Sequence, residues 1–433
     1  MPFTQYSQAT LAAEVLEALA DPSAVYWSLD EVYRAINEAL LYWGALTSYW
    51  RERGQFSTVA ATPFYDLSVQ LPTLRARTYT FGQLTKEIQY ALQEPANGVA
   101  GTNMTSQFTI GRLTNALKRA RSEFVLDSRL PLTFGPFNFA PAANGRVSLD
   151  QTIALIARAA WKDTFSGVFQ PLRREDAWGA DSYNALWAQT PATLPYAYSM
   201  AETRPIELQF IPPAISSGQL HLVYASTPDL TIADGTSFAL PDEFALAAKY
   251  GAMYDMLSNY SEGFDPLRAQ YSLERYNAAV EAAKMMRSVA RVQVNNLPVP
   301  LDTLWNLDAA RPTWQNRQGS PNYAATAYDL VALSDVPNGV YGISCDLVRS
   351  APLPVLTTDY IQVGHEDIPY LFDYTRHVLS FKLGGAEFAA TMPLYDNFLQ
   401  GAAQRNKLLA AKARYLTPLF GQGQIEEAEV PAA

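Results

Sequence analysis

Ile206-Glu-Leu-Gln-Phe-Ile211 opens the stretch that decides the fold: apolar and polar residues alternate, and Pro212-Pro213-Ala-Ile-Ser-Ser-Gly218 closes the run. Alternation at period two marks a strand with one buried face. Gln219-Leu-His-Leu-Val-Tyr-Ala225 alternates again, so the two runs predict a hairpin with a long loop. After Asp234-Gly235, the segment Leu240-Pro241-Asp242-Glu243-Phe244 places proline and two acids where a helix's first turn favours them. Phe244, Ala247, Ala248, Gly251, Tyr254 and Leu257 then recur at helical steps, and the pattern breaks at Ser261-Glu-Gly263. Asp265-Pro266 starts a second helix through Leu267, Tyr271, Ala278, Ala282, Met285 and Val289. The unit from Ile206 to Met286 therefore reads strand, strand, helix, helix.

About 120 residues on, the same order of signals returns. Tyr328 to Leu333 is a strand run, Pro337-Asn338-Gly339 is strong turn chemistry, and Val340 to Val348 is a second strand. Ile368 to Phe381 predicts a helix that Gly384-Gly385 ends, and Thr391 to Tyr415 predicts another. Tyr250 corresponds to Tyr374, Gly263 to Gly384, Tyr276-Asn277 to Tyr395-Asp396, and Ala282-Ala283 to Ala402-Ala403, with spacings that drift by a few residues. Duplication of a structural module accounts for this; coincidence is the alternative.

The 433 residues leave room for several cores, and 48% hydrophobic with 12% aromatic content indicates a folded chain. Twenty-five tyrosines and eight tryptophans can fill cores or line large interfaces. Charged residues make up only 17%, which fits either an Ala-rich core or a surface partly covered by partners. A net charge of −10 argues against tight binding to nucleic-acid phosphate, though an acidic surface can border DNA without holding it. The single cysteine, Cys345, excludes an internal disulfide framework and points to folding in a reducing compartment. No run approaches the roughly 20 apolar residues of a membrane span, and no secretory leader is read, so the expectation is a soluble chain made in cytosol.

Ahead of the first module, Thr10 to Ala20 is a short amphipathic helix. Trp27-Ser28-Leu29-Asp30-Glu31 is a capping box, and the helix it opens carries Leu29, Val32, Tyr33, Ile36, Leu40, Trp43, Leu46 and Trp50 on one stripe. That stripe is core or subunit interface. Thr62 to Pro72 reads as extended, Leu84 to Leu92 as a helix, and Thr109 as the cap of another helix with Leu113, Leu117 and Phe124 inward. Arg112, Lys118, Arg119 and Arg121 on its other face predict a solvated basic surface, or one that meets an acidic partner or a passing phosphate. Ser148-Leu149-Asp150-Gln151 resembles the first capping box and predicts a helix from Leu149 to Phe165. Val292 to Asn322, with Pro298, Pro300, Pro312 and Pro321, predicts a structureless connector, and residues 421–433 a mobile tail.

Catalytic and metal patterns are missing from the sequence. His221, His365, His377 and Cys345 show no metal-ligand spacing, and there is no phosphate loop, dinucleotide fingerprint or Gly-x-Ser-x-Gly. No cofactor, metal site or enzymatic activity is expected.

The helix Trp27-Ser-Leu-Asp-Glu-Val-Tyr-Arg-Ala-Ile-Asn-Glu-Ala-Leu-Leu-Tyr-Trp-Gly-Ala-Leu-Thr47 is similar to the first bundle helix of tailed-phage head-to-tail connector (neck adaptor) proteins. So is the block of Ile206 to Pro213, Leu220 to Tyr224 and Leu240 to Tyr271, where such proteins carry a strand pair and two helices. The resemblance is one of pattern, covers about Thr10 to Met286, and carries no catalytic motif. The chain departs from small adaptors by its length and its second module. The resemblance implies a virion protein assembled in the host cytoplasm as a homo-oligomeric, twelvefold ring beneath the portal protein. Such a ring would contact tail or neck proteins, and DNA would pass its lumen without sequence-specific binding.

A tail or baseplate binding component is the competing class. A wall-degrading enzyme using Asp242-Glu243 or Glu366-Asp367 is a third. Trp43, Tyr49 and Trp50 are the expected subunit contacts. The expected fold class is α+β, helical-bundle segments combined with antiparallel hairpins or a small β-sandwich. Its expected parts are a helical segment with a short strand (1–80), a second helical segment (81–190), module one (191–291), a linker (292–322), module two (323–420) and a tail (421–433).

Overall fold

The computed structural model describes residues 6–92, 108–139, 145–200, 206–214, 217–227, 235–258, 264–286 and 288–416. The helices are α1 (Gln8–Ala18), α2 (Leu29–Thr47), α3 (Leu67–Gln70), α4 (Phe81–Ala91), α5 (Ile110–Ser128), α6 (Ala177–Tyr183), α7 (Asp242–Leu257), α8 (Pro266–Met285), α9 (Leu304–Ala310), α10 (Ile368–Ser380), α11 (Gly385–Ala389) and α12 (Met392–Leu416). The strands of the N-terminal half are β1 (Arg51–Ser57), β2 (Phe64–Asp66), β3 (Thr133–Phe139), β4 (Arg146–Ser148), β5 (Ile153–Asp163), β6 (Phe169–Arg174), β7 (Ala197–Met200), β8 (Glu207–Ile211) and β9 (Gly218–Ser226). After α8 come β10 (Val289–Val294), β11 (Leu297–Val299), β12 (Leu301–Thr303), β13 (Gln318–Gly319), β14 (Tyr323–Ala327), β15 (Leu330–Ser334), β16 (Val336–Pro337) and β17 (Gly342–Val348). The class is α+β, and the chain divides into two compact units, Met1–Tyr49 with Pro352–Ala433, and Trp50–Ala351.

The described part of the first unit is a helical assembly of α1, α2, α10, α11 and α12. Ser28 caps α2 by accepting from the Glu31 amide, and the Glu31 carboxylate is held by Lys382 Nζ at 3.0 Å, so the Ser28 signal marks a real helix start. The α2 stripe proves broader than the sequence suggested, because α1, α10 and α12 enclose it on several sides. Val32, Ile36, Ala39, Leu40 and Trp43 are sealed, whereas Leu29 is exposed. Gly401 lets α12 lie against Tyr370 of α10, since a Cβ there would come within 2.5 Å of that ring. Gly384 takes φ 66° at the end of the turn after α10, as its position in the sequence required.

In the second unit α7 is the central helix. Almost every residue from Asp242 to Leu257 is buried, which an all-round apolar helix achieves only inside a core. α4, α5 and α8 pack around it. Gly251 permits the closest approach, where a Cβ would stand 2.8 Å from Ala120 Cβ and 3.1 Å from Tyr276.

Four sheets are described in the same unit, the smallest being the parallel pair β13-β16. β1-β17-β10-β11 and β12-β14-β15-β2 share one core through Tyr65, Val292, Val331, Leu333, Ile343, Cys345 and Leu347, a small sandwich. β15 is buried on both faces: Val331 and Leu333 enter that core, while Leu330 and Ala332 turn to a second one with Phe64, Val223, Leu307 and Trp314. The seven-stranded sheet runs β3-β9-β5-β6-β7-β8-β4 and folds over its own core, where Trp161 of β5 meets Phe210 of β8 edge-on at 5.2 Å.

Several expectations are corrected here. The two runs at Ile206–Ile211 and Gly218–Ser226 are strands but not a hairpin: β8 pairs with β7 and β4, and β9 with β3 and β5. β7 and β4 take both edges of β8, so no edge of it is left for β9 to pair with. Likewise β15 and β17 belong to different sheets.

The segment from Leu149 to Phe165 is strand β5, not a helix, and Ser148 ends β4 rather than capping. Two register irregularities in β5, between Ile153 and Leu155 and between Ile156 and Arg158, erase the period of two, and pairing on both sides overrides its alanine-rich composition. Thr62 to Pro72 includes the short helix α3.

Residues 292–322 are structured too. Val294-Asn-Asn-Leu297 is a two-residue hairpin turn with both asparagines at positive φ (48° and 66°), and Pro298 sits on edge strand β11, where no ladder donor is needed. The expected tail at 421–433 and the break at 261–263 lie outside the described residues.

Candidate functional site at the head of the central helix

Asp242 and Glu243 start α7, as acids at a helix head should, but they also anchor a buried charge cluster. Asp242 accepts from the Thr78 amide at 2.6 Å, the Tyr79 amide at 2.9 Å and Thr78 Oγ1 at 2.6 Å, which pins the segment before α4 onto α7. Glu243 Oε1 receives Arg75 Nη2 at 2.8 Å and the Tyr328 hydroxyl at 2.7 Å, and Oε2 receives Ser350 Oγ at 3.2 Å. Arg75 also donates from Nε to Asp329 at 2.7 Å and from Nη1 to the Val348 carbonyl at 2.8 Å. One guanidinium thus joins the head of α7, the turn before β15 and the end of β17.

Burial dominates the electrostatics here. Burial pulls against the charged form of Arg75, yet Glu243, Tyr328 and Asp329 more than offset it and hold its pKa well above the ordinary value. Burial would raise Glu243, but Arg75 and the hydrogen bonds bring it below the usual carboxylate range. Asp329 and Asp242 stay raised because burial outweighs their partners. Nothing in the sequence flags Arg75 or Asp329; a lone arginine 168 residues from its carboxylate leaves no local pattern.

The basic helix face is corrected in part, since Arg119 stays exposed whereas Arg121 is buried. Arg119 pairs with Asp255 at 2.9 Å, Arg112 reaches the Met256 carbonyl, and Arg121 is buried against the Phe238 carbonyl, because α7 and its flanking loop pack on that side of α5.

The three aromatics at the end of α2 are placed as follows. Trp43 is fully enclosed, 5.9 Å from Tyr370 and 5.5 Å from Phe398 by ring centroids. Tyr49 is partly buried and its hydroxyl accepts from the Gly364 amide at 3.1 Å. Trp50 is buried at the start of the second unit, where its carbonyl accepts from the Arg349 amide. The other acid pair is also committed: Asp367 is buried and, with Glu366, holds Arg405 of α12.

Side chains that could meet partners stand elsewhere. Val59, Leu297 and Val340 are exposed around one end of the β1-β17-β10-β11 sheet, Phe165 at the turn between β5 and β6, and Trp178 and Tyr183 on α6.

His221 lies in β9 between Phe134 and Phe169, and burial together with Lys162 and Arg158 lowers its pKa to about 4. Its native form is neutral. The unfolded chain takes a proton below about 6.5 while the folded one resists until about 4, so stability is complete above pH 6.5 and declines toward pH 4. The decline expected from this residue is about 2–3 kcal/mol. His221→Gln should flatten that part of a urea-denaturation profile, and an unchanged slope would show that His221 does not cause it.

Among the described residues no cluster of His, Cys, Asp and Glu could hold a metal ion, and no helix is long and apolar enough to cross a membrane. Burial, with Asp346 beside it, pushes the Cys345 thiol up to about 12, away from nucleophilic use. No curated protein matches the chain. The model of the SU10 adaptor protein family matches residues 77–299, from just after Arg75 through α4, α5, the seven-stranded sheet, α7, α8 and the β10–β11 hairpin. That match takes in the central helix, its three companions and Glu243, the carboxylate that Arg75 meets at the head of α7, and over half of its length the chain belongs to the SU10 adaptor protein family, a family of phage adaptor-type structural proteins.

Proposed function

We propose that the protein is a head-to-tail connector of a tailed-phage virion, a ring of identical subunits below the portal through which DNA passes. The observation that carries this reading is the family match over the α7 bundle and its seven-stranded sheet. A closed ring repeats one heterologous interface by rotation, and the exposed Val59, Leu297, Val340, Phe165 and Trp178 supply apolar surface for neighbours. The net charge of −10 suits a lumen that DNA slides through without adhering. Twelvefold symmetry, contact with the portal and contact with tail proteins belong to the same proposal. Of the three aromatics at the end of α2, Tyr49 carries the proposed subunit contact, since it keeps exposed surface while Trp43 and Trp50 are packed inside the chain.

Copy number tests this. Quantitative mass spectrometry of purified particles is expected to give one copy of this chain per portal subunit. A clearly lower ratio would move the protein to the baseplate or fibres, and its absence from particles would overturn the structural reading.

A further inference from the structure

Four buried cations among the described residues are paired with carboxylates. Arg75 has Glu243 and Asp329, Arg158 has Asp308, Lys249 has Glu87, and Lys382 has Glu31. Taking a guanidinium out of water without a counter-charge is costly, so this pairing is what physics requires.

Arg121 departs from it. It is 3% exposed, in the middle of α5, and it makes one hydrogen bond among the described residues, from Nε to the Phe238 carbonyl at 2.9 Å. No ion pair reaches it there, and burial alone pulls its pKa down to about 10. Acids of α4, α5 and α7 are engaged with other groups: Asp242 with Thr78 and Tyr79, Glu87 with Lys249, Asp255 with Arg119, and Asp127 with the Tyr276 hydroxyl. The Phe238 carbonyl that Arg121 grips belongs to a loop fixed on its other side, where the Phe238 amide donates to the Tyr79 carbonyl and the Phe81 amide to the Thr236 carbonyl. Nε is therefore satisfied by a fixed partner. No described residue accepts a hydrogen bond from the two terminal nitrogens, Nη1 and Nη2.

We propose that Arg121 is the floor of an anion site, whose terminal nitrogens bind an oxyanion of carboxylate or phosphate type supplied from outside the subunit. The planar fork of a guanidinium matches two oxygens of such a group, and the poorly hydrated setting strengthens the contact. The oxyanion is either a free small anion or a carboxylate side chain of a neighbouring copy. The site itself does not rest on ring formation.

The test is a thermal melt of the full chain in inorganic phosphate, and separately in sodium acetate, from 0 to roughly 100 mM at constant ionic strength held with sodium chloride. The wild type is expected to rise by about 2–4 °C in a saturable manner in at least one of the two. Arg121→Met should not respond, and Arg121→Lys should respond weakly. A wild type without a saturable rise overturns the site whatever the variants do, and so does an Arg121→Met that rises equally. Sedimentation of the same samples distinguishes the sources. Assembly that phosphate inhibits and Arg121→Met lacks assigns the oxyanion to a neighbouring copy, whereas assembly unchanged by either assigns it to a free anion.

Discussion

Arg75→Met is expected to destabilise the unit Trp50–Ala351 by about 3–5 kcal/mol, the loss typical when one partner is removed from a buried ion cluster. Methionine fills much of the volume but leaves Glu243 and Asp329 buried without their cation, and strands the Val348 carbonyl and the Tyr328 hydroxyl from a common donor. The loss should depend on pH with a definite sign. In the wild type Glu243 has a pKa below its ordinary 4.5, so its contribution is present above that value and lost as the pH falls through the lower folded one. In the variant the Glu243 pKa rises, and its carboxyl can accept a proton to relieve the unpaired charge. Urea denaturation at pH 7 and pH 5 should therefore show a smaller gap between variant and wild type at the lower pH. A midpoint within error of wild type at pH 7 would mean that the cluster does not hold the head of α7.

Trp314→Ala should cost a comparable amount, about 3–5 kcal/mol, by a different route. The indole fills the core between β15 and α9, meets Phe64 edge-on at 5.7 Å, lies under the Arg158 guanidinium at 5.6 Å and donates to Asp308 at 2.8 Å. Alanine leaves a cavity and loosens the carboxylate that neutralises Arg158. Trp314→Phe should recover part of the packing but not the donor. Trp305→Ala on α9, at a side chain 79% exposed, is the control and should stay within about 0.5 kcal/mol. Equal losses at Trp305 and Trp314 in denaturant titrations would contradict the packing described here.

Some of this was legible from residues alone, and the reasons are physical. Local chemistry announces itself: Ser28 and Thr109 cap helices where the sequence placed caps, and Gly384 ends one. The order strand, strand, helix, helix is present as β8, β9, α7, α8, whereas the second stretch runs β15, β16, β17, α10, α11, α12, with its strands in one unit and its helices in the other. Partnership is not local, so the strands with which β8 and β9 pair are not legible in the sequence, and neither is the strand β5, whose irregularities break the alternation that identifies strands. Asn295-Asn296 was a usable signal for the β10–β11 turn, masked by the prolines around it. Arg75 and Arg121 illustrate the limit for sites. Each is one arginine among many, and only the structure shows that the first is over-supplied with carboxylates and the second has none among the described residues.

The first unit is assembled from both ends of the chain, Met1–Tyr49 and Pro352–Ala433, with about three hundred residues between them. Synthesis fixes a sequence of events. At ~5–20 residues per second the ribosome needs on the order of 15–60 s to make the intervening segment. During that interval α1 and α2 exist without α10 and α12, and Trp43 and Tyr42 have no Phe398 to cover them. Trp50–Ala351 can fold as it emerges, whereas the helical unit has to wait for α12. The helical unit is complete only once α12 has left the ribosome, so the aromatic side chains of α2 stay uncovered for the whole of that interval.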